Sequence, residues 1–117
     1  MKYLIIGSRE ISFFDPSPYI SPDVDVLISE LSGPVGLAVN EYAKEKGITF
    51  VCVSLSDYSG RGEEAYFEAL VDNCDAILLV WDCQSEECVK IQRIANGKGI
   101  PCAHVIVAPN GKNAIFI

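Results

Sequence analysis

The stretch Met1-Lys2-Tyr3-Leu4-Ile5-Ile6-Gly7-Ser8-Arg9-Glu10 decides how the chain is read. Tyr3 to Ile6 is an unbroken apolar run without alternation, the pattern of a strand buried on both faces in the middle of a parallel sheet. The run stops at Gly7, and polar Ser8 and Arg9 follow at once. In open α/β sheets, ligands lie outside the carboxyl ends of the strands, where the strand order reverses. A first strand that ends in Gly-Ser-Arg therefore marks a candidate binding site.

Residues 11 to 23 hold three prolines. They allow only a loop or a single helical turn as the first crossover. Phe13, Phe14 and Tyr19 in this segment are read as covering the sheet. Val24 to Ser29 reads as the second strand, interrupted by Asp25. A helix follows: Ser32 or Gly33 caps it, Pro34 suits its first turn, and Gly47 ends it. Val35, Ala38, Val39 and Tyr42 form the stripe of a helix laid on a sheet. Ile48 to Leu55 is the third strand, and Ser56 to Gly62 a loop. The next helix runs from about Glu63 to Asn73, with Tyr66, Phe67, Leu70, Val71 and Cys74 on its core side. Ala76 to Trp81 is the fourth strand, and Glu86 to about Ala95 a helix capped by Ser85. Pro101 to Ala108 is the fifth strand. Residues 109–117 form a turn, Pro109-Asn110-Gly111, and a short extra strand. The expectation is an α/β fold: a single Rossmann-like three-layer domain over 1–117, with a mainly parallel sheet of about five strands and helices on both faces.

Composition narrows the function classes. The chain has 117 residues, half of them hydrophobic, which suits one domain with one core. No apolar run approaches the roughly 20 residues of a membrane helix. The apolar run before Gly7 is also too short for a secretory signal. A cytoplasmic protein without membrane attachment is expected. Nine basic and sixteen acidic residues leave a net charge of −7. The basic residues are scattered, whereas phosphate-backbone binding needs them clustered; nucleic acid is not the expected partner. Five cysteines without C-x-x-C spacing read as reduced thiols, with Cys52, Cys74 and Cys102 as small core residues. The single histidine, His104, lies in an apolar strand. No metal site and no cofactor is expected.

The dinucleotide G-x-G-x-x-G, the Walker A loop, G-x-S-x-G and H-E-x-x-H are all absent. What remains is a set of strand ends on one edge of the sheet. The helix after strand three opens with Glu63-Glu64, and the one after strand four with Glu86-Glu87. These carboxylates favour their own helix starts and repel a ligand phosphate. The helix at Gly33-Pro34-Val35-Gly36 begins without acid, so an anion is placed there, with Arg9 as the nearest cation.

Several short motifs carry a family resemblance. These are Ile-Ile-Gly-Ser-Arg at 5–9, the Gly-x-x-Gly at 33–36 ahead of Ala43-Lys44-Glu45-Lys46-Gly47-Ile48, Tyr58-Ser59-Gly60-Arg61-Gly62, and Cys74-Asp75-Ala76-Ile77-Leu78-Leu79-Val80-Trp81-Asp82. Together they resemble the small single-domain branch of the SLOG superfamily, related to the Lonely Guy phosphoribohydrolases and the DNA-processing protein A family. The likeness spans most of residues 1–107. It implies a Rossmann-like fold and a nucleotide-derived ligand. Three departures stand against the family's catalysis. The Asp of its Ser-Gly-Gly-Ala-x-Gly-x-Asp motif is missing after Ser32-Gly33. Tyr66, Phe67 and Glu68 stand where Arg-Asn-Arg is usual. Trp81-Asp82-Cys83-Gln84-Ser85-Glu86-Glu87 lacks the glycines of Pro-Gly-Gly-x-Gly-Thr-x-x-Glu.

The expected ligand-binding residues are Gly7, Ser8, Arg9, Ser32, Gly33, Gly36, Tyr58, Arg61, Trp81 and Asp82. Each has a plainer alternative: Arg9 as a surface ion pair, Asp82 as a turn residue, Tyr58 and Trp81 as packing. Cys83 is a candidate nucleophile at a helix start, although no partner base is visible in the sequence. The expected function is binding of a nucleotide-derived or phosphorylated small molecule without efficient catalysis. The alternatives are a diverged nucleoside-phosphate hydrolase and a ligand-free module that acts as a homodimer. An apolar patch on the last two helices or the tail favours the homodimer.

Overall fold

The computed structural model describes residues 1–8, 11, 13–31, 33–54, 62–81, 83, 85–107 and, as backbone, 114–116. Six strands and three helices follow in chain order: β1 Lys2–Gly7, β2 Val26–Ser29, α1 Pro34–Lys46, β3 Thr49–Cys52, α2 Glu63–Asp72, β4 Ala76–Trp81, α3 Glu86–Lys98, β5 Cys102–Val107 and β6 Ala114–Phe116. The strands form one sheet in the order β3-β2-β1-β4-β5-β6. The first five are parallel, and β6 pairs antiparallel to β5.

This is the doubly wound arrangement expected of the alternating pattern, with β1 at its centre. The strand alternation sorts side chains onto two faces. Tyr3, Ile5, Leu27, Leu78, Val80, Val105 and Val107 pack with Val35, Val39 and Ala43 of α1. Leu4, Ile6, Ile28, Ile77, Leu79 and Trp81 pack under Tyr66, Phe67, Leu70 and Val71 of α2 and Cys88, Ile91 and Ala95 of α3. Burying each of the larger aliphatic side chains contributes about 1.5–3 kcal/mol. The eighteen residues between β1 and β2 hold, among those described, one 3-10 turn, Ser17–Tyr19. Its start at Pro16 and Pro18 is what the fixed proline φ permits.

The helix ends follow the residues at them. Gly33 is the N-cap of α1 and Pro34 its first residue; Gly47 closes it at φ 68°, in the left-handed region that suits glycine. Ser85 Oγ accepts the Cys88 N–H at 3.3 Å to cap α3. The sequence expectation for α3 stops a turn early: the helix continues to Lys98 and is closed by Gly99 at φ 72°.

Three further expectations are corrected. The second strand begins at Val26, because Asp25 is drawn out of the ladder: its carboxylate binds the N-terminal ammonium and its N–H donates to the Met1 carbonyl. The third strand is shorter than its apolar run and lies at the sheet edge. Val51 and Cys52 are exposed there, so Cys52 is no core residue. In the first crossover Phe14 is buried and stacks on Tyr19 at 5.7 Å, but Phe13 stands 68% exposed. Among the described residues, no helix is long and apolar enough to cross a membrane.

Candidate functional site

The strand order reverses at β1. Its chain continues toward β2 on one side, while β4, on the other side, feeds α3. The β1–β4 ladder runs to Gly7↔Val80, and the Ser8 N–H still donates to the Val80 carbonyl at 2.9 Å. The β1–β2 ladder stops earlier, at Leu4↔Ile28. Beyond it the Ser29 hydroxyl, 1% exposed, donates to the Ile5 carbonyl at 2.6 Å. A side chain thus carries the polar link where the ladder has ended. Ser8 and Ser29 are the buried polar residues of the described core, and both sit at this carboxyl edge.

The crevice beside them is lined by Gly7, Ser29, Glu30, Gly33, Val35, Gly36 and, from α3, Glu87. Its volume is about 10 Å³, no more than one water occupies. Two glycines explain why it is so narrow. A Cβ on Gly7 would lie 2.2 Å from Val35 Cγ2, and one on Gly36 would lie 1.4 Å from the Glu30 carbonyl oxygen. The Gly-x-x-Gly at 33–36 therefore seats the first turn of α1 directly on the backbone that leaves β2. The same closeness of helix and strand is one of the recognised uses of glycine in dinucleotide folds.

The electrostatics are mixed. α1 has no acidic residue in its first turn, whereas α2 carries Glu63 and Glu64 there and α3 carries Glu86 and Glu87. Pro34 brings no N–H, and Leu37 already donates to the Gly33 carbonyl. The helix itself leaves the Val35 and Gly36 amides for another acceptor. Next to this start, however, a wider cavity of about 250 Å³ is lined by Glu30, Glu63, Glu86 and Glu87, with Tyr66, Phe67 and Lys90. Its one lysine is bound to Glu63 at 3.1 Å. Acceptors outnumber cations at this mouth, which suits a ligand's hydroxyl donors. No cluster of three or more His, Cys, Asp or Glu poised to hold a metal occurs among the described residues.

Of the residues singled out from the sequence, Gly7, Gly33 and Gly36 line the crevice, and Ser8 follows Gly7 at the end of β1 without lining it. Arg9, Ser32, Tyr58, Arg61 and Asp82 lie outside the described residues. Trp81 lies apart: it is 6% exposed, and its indole N–H donates to His104 Nδ1 at 3.2 Å with the rings 5.9 Å apart. In neutral His104 the proton then sits on the other ring nitrogen. Cys83 is exposed and holds φ 69°, a left-handed conformation uncommon for a residue with a Cβ. The sequence reading missed Glu87 as a crevice residue. Glu87 is brought there only by the packing of α3. Burial pushes the Cys74 and Cys102 thiols up to about 11 and the Tyr3 hydroxyl up to about 12, which keeps all three neutral.

No protein-family model, curated protein or solved structure matches the chain.

Proposed function

We propose that the carboxyl edge of the sheet binds a nucleotide-derived small molecule at the mouth of the crevice between β1, β2 and α1. One observation carries this reading. Only α1, among the three helices, opens without a carboxylate, and it does so beside the strand-order reversal. A ligand phosphate would take the Val35 and Gly36 amides, with the dipole of a thirteen-residue helix behind them. Ribose hydroxyls would donate to the carboxylates of Glu30 and Glu87, the role an acidic residue plays toward ribose in dinucleotide folds. The narrow crevice keeps the phosphate at its mouth. The resemblance of residues 5–9 and 33–36 to the SLOG superfamily supports the same ligand class.

The test is a thermal-shift series with nucleoside monophosphates, the matching nucleosides and inorganic phosphate. A ligand at 100 times its dissociation constant adds about 2.7 kcal/mol, roughly 10 °C for a domain of this size. A monophosphate is expected to exceed both of its fragments. Arg9→Ala is expected to reduce the phosphate share, and Glu87→Gln the nucleoside share. Chromatography of the incubated ligand separates binding from hydrolysis. No shift with any monophosphate, or shifts that ignore both substitutions, would overturn the reading.

A further inference from the structure

A further groove lies between α2 and α3 and shares Glu63, Phe67 and Lys90 with the cavity beside the crevice. It measures about 400 Å³ and is lined by Glu63, Glu64, Phe67, Lys90, Arg93 and Ile94. The two helices run side by side in the same direction, as the pairs Lys90–Glu63 and Lys98–Asp72 show. The groove therefore has one acidic wall on α2 and one basic wall on α3, over a floor of Phe67 and Ile94. Lys90 and Glu63 satisfy each other across it at 3.1 Å. Glu64 and Arg93 are exposed and make no ion pair among the described residues.

We propose that this groove is the interface of a homodimer. The argument is charge complementarity under two-fold symmetry. A two-fold axis along the groove, between the helices, places α2 of each copy opposite α3 of the other. The acidic wall then meets the basic wall twice, as an isologous interface requires. Glu64 faces Arg93 of the partner subunit, and Arg93 faces Glu64 of the partner subunit. Half-buried Ile94 of the two copies closes over the floor, which Phe67, 3% exposed, forms within each chain. The chain carries a net charge of −7, so two copies repel over most of their surfaces. This groove offers cations as well as acids to a second copy.

The test is the solution mass of the full chain, by light scattering and sedimentation across micromolar concentrations. The buffer must be reducing, because Cys52 and Cys83 are exposed and could crosslink copies. The expected result is a concentration-dependent mass that rises toward twice the 12.7 kDa of one chain. Arg93→Glu removes two symmetry-related attractions and is expected to weaken the dimer by roughly tenfold or more. The double variant E64R/R93E restores the opposite-charge contacts and is expected to recover most of the affinity. Both positions are exposed, and circular dichroism checks that each variant keeps the parent fold. A monomer at every concentration would overturn the proposal. So would a dimer that ignores R93E, or a double variant no tighter than R93E. A dimer broken by Val51→Lys instead would assign association to the open β3 edge and overturn it equally.

Discussion

Gly36→Ala is the sharpest perturbation of this fold. The added Cβ would stand 1.4 Å from the Glu30 carbonyl oxygen and 2.6 Å from the Glu30 carbonyl carbon. Both obstacles are backbone, so no rotamer change relieves the clash. Either α1 lifts from the sheet or the turn after β2 shifts. Lifting α1 would loosen Val35, Val39 and Ala43, all buried against β1 and β2. Overpacking of a core costs about 1–3 kcal/mol, and a rigid obstacle puts this substitution at or above the top of that range. With a urea slope of about 2 kcal/mol per molar, a loss of about 3 kcal/mol lowers the midpoint by about 1.5 M. Gly97→Ala is the control. It lies inside α3 with open space around its would-be Cβ. Alanine there should raise stability by about 0.5–1 kcal/mol through helix propensity. The assay is urea unfolding followed by fluorescence of Trp81, the single tryptophan, which is 6% exposed in the folded chain. A Gly36→Ala protein within about 0.5 kcal/mol of the parent would refute the close seating of α1.

Ser29→Ala removes the buried donor to the Ile5 carbonyl at the end of the β1–β2 ladder; it should cost about 1–2 kcal/mol, and an unchanged urea midpoint would show that the carbonyl finds another donor. Alkaline pH should destabilise the fold: Cys74 and Cys102 keep their protons to about 11 when folded but lose them near the ordinary thiol value of 9.0 when unfolded, and Tyr3 behaves likewise between 10.0 and about 12. The unfolded state then binds fewer protons, so stability falls as pH rises above about 9; a melting temperature flat from pH 8 to 11 would contradict it. A colorimetric thiol reagent should meet two fast cysteines, Cys52 and Cys83, and three slow ones, Cys74, Cys88 and Cys102, until denaturant exposes all five; a single rate for all five would contradict the burial pattern.

Much of this architecture was legible in local residue patterns. The unalternating Tyr3–Ile6 and Ile77–Trp81 runs are buried on both faces because β1 and β4 are the two central strands. Pro34, Gly47, Ser85 and the Glu63–Glu64 and Glu86–Glu87 pairs mark helix ends, since unpaired backbone groups there select a few residue types. The same reading failed on the third strand. Its apolar run looks like β1, but a strand at the edge is covered on one side only, and edge position depends on strand order. It also placed Trp81 with the ligand, because it ends a strand at the right edge; the pleat turns its ring toward α2 and α3, where His104 takes its N–H.

Element order, helix caps and the two-sided burial of the central strands are readable along the chain, because each rests on contacts between residues close in sequence or on strand period. Long-range packing selected the residues that share the crevice. Glu30 and Glu87 lie 57 positions apart in the chain, and only the crossover of α2 and the docking of α3 bring them to one edge. It also decided that Gly7 and Gly36 are there for contact rather than for turn geometry. Neither glycine has a left-handed φ, so the need for a missing Cβ appears only once α1 lies on the sheet.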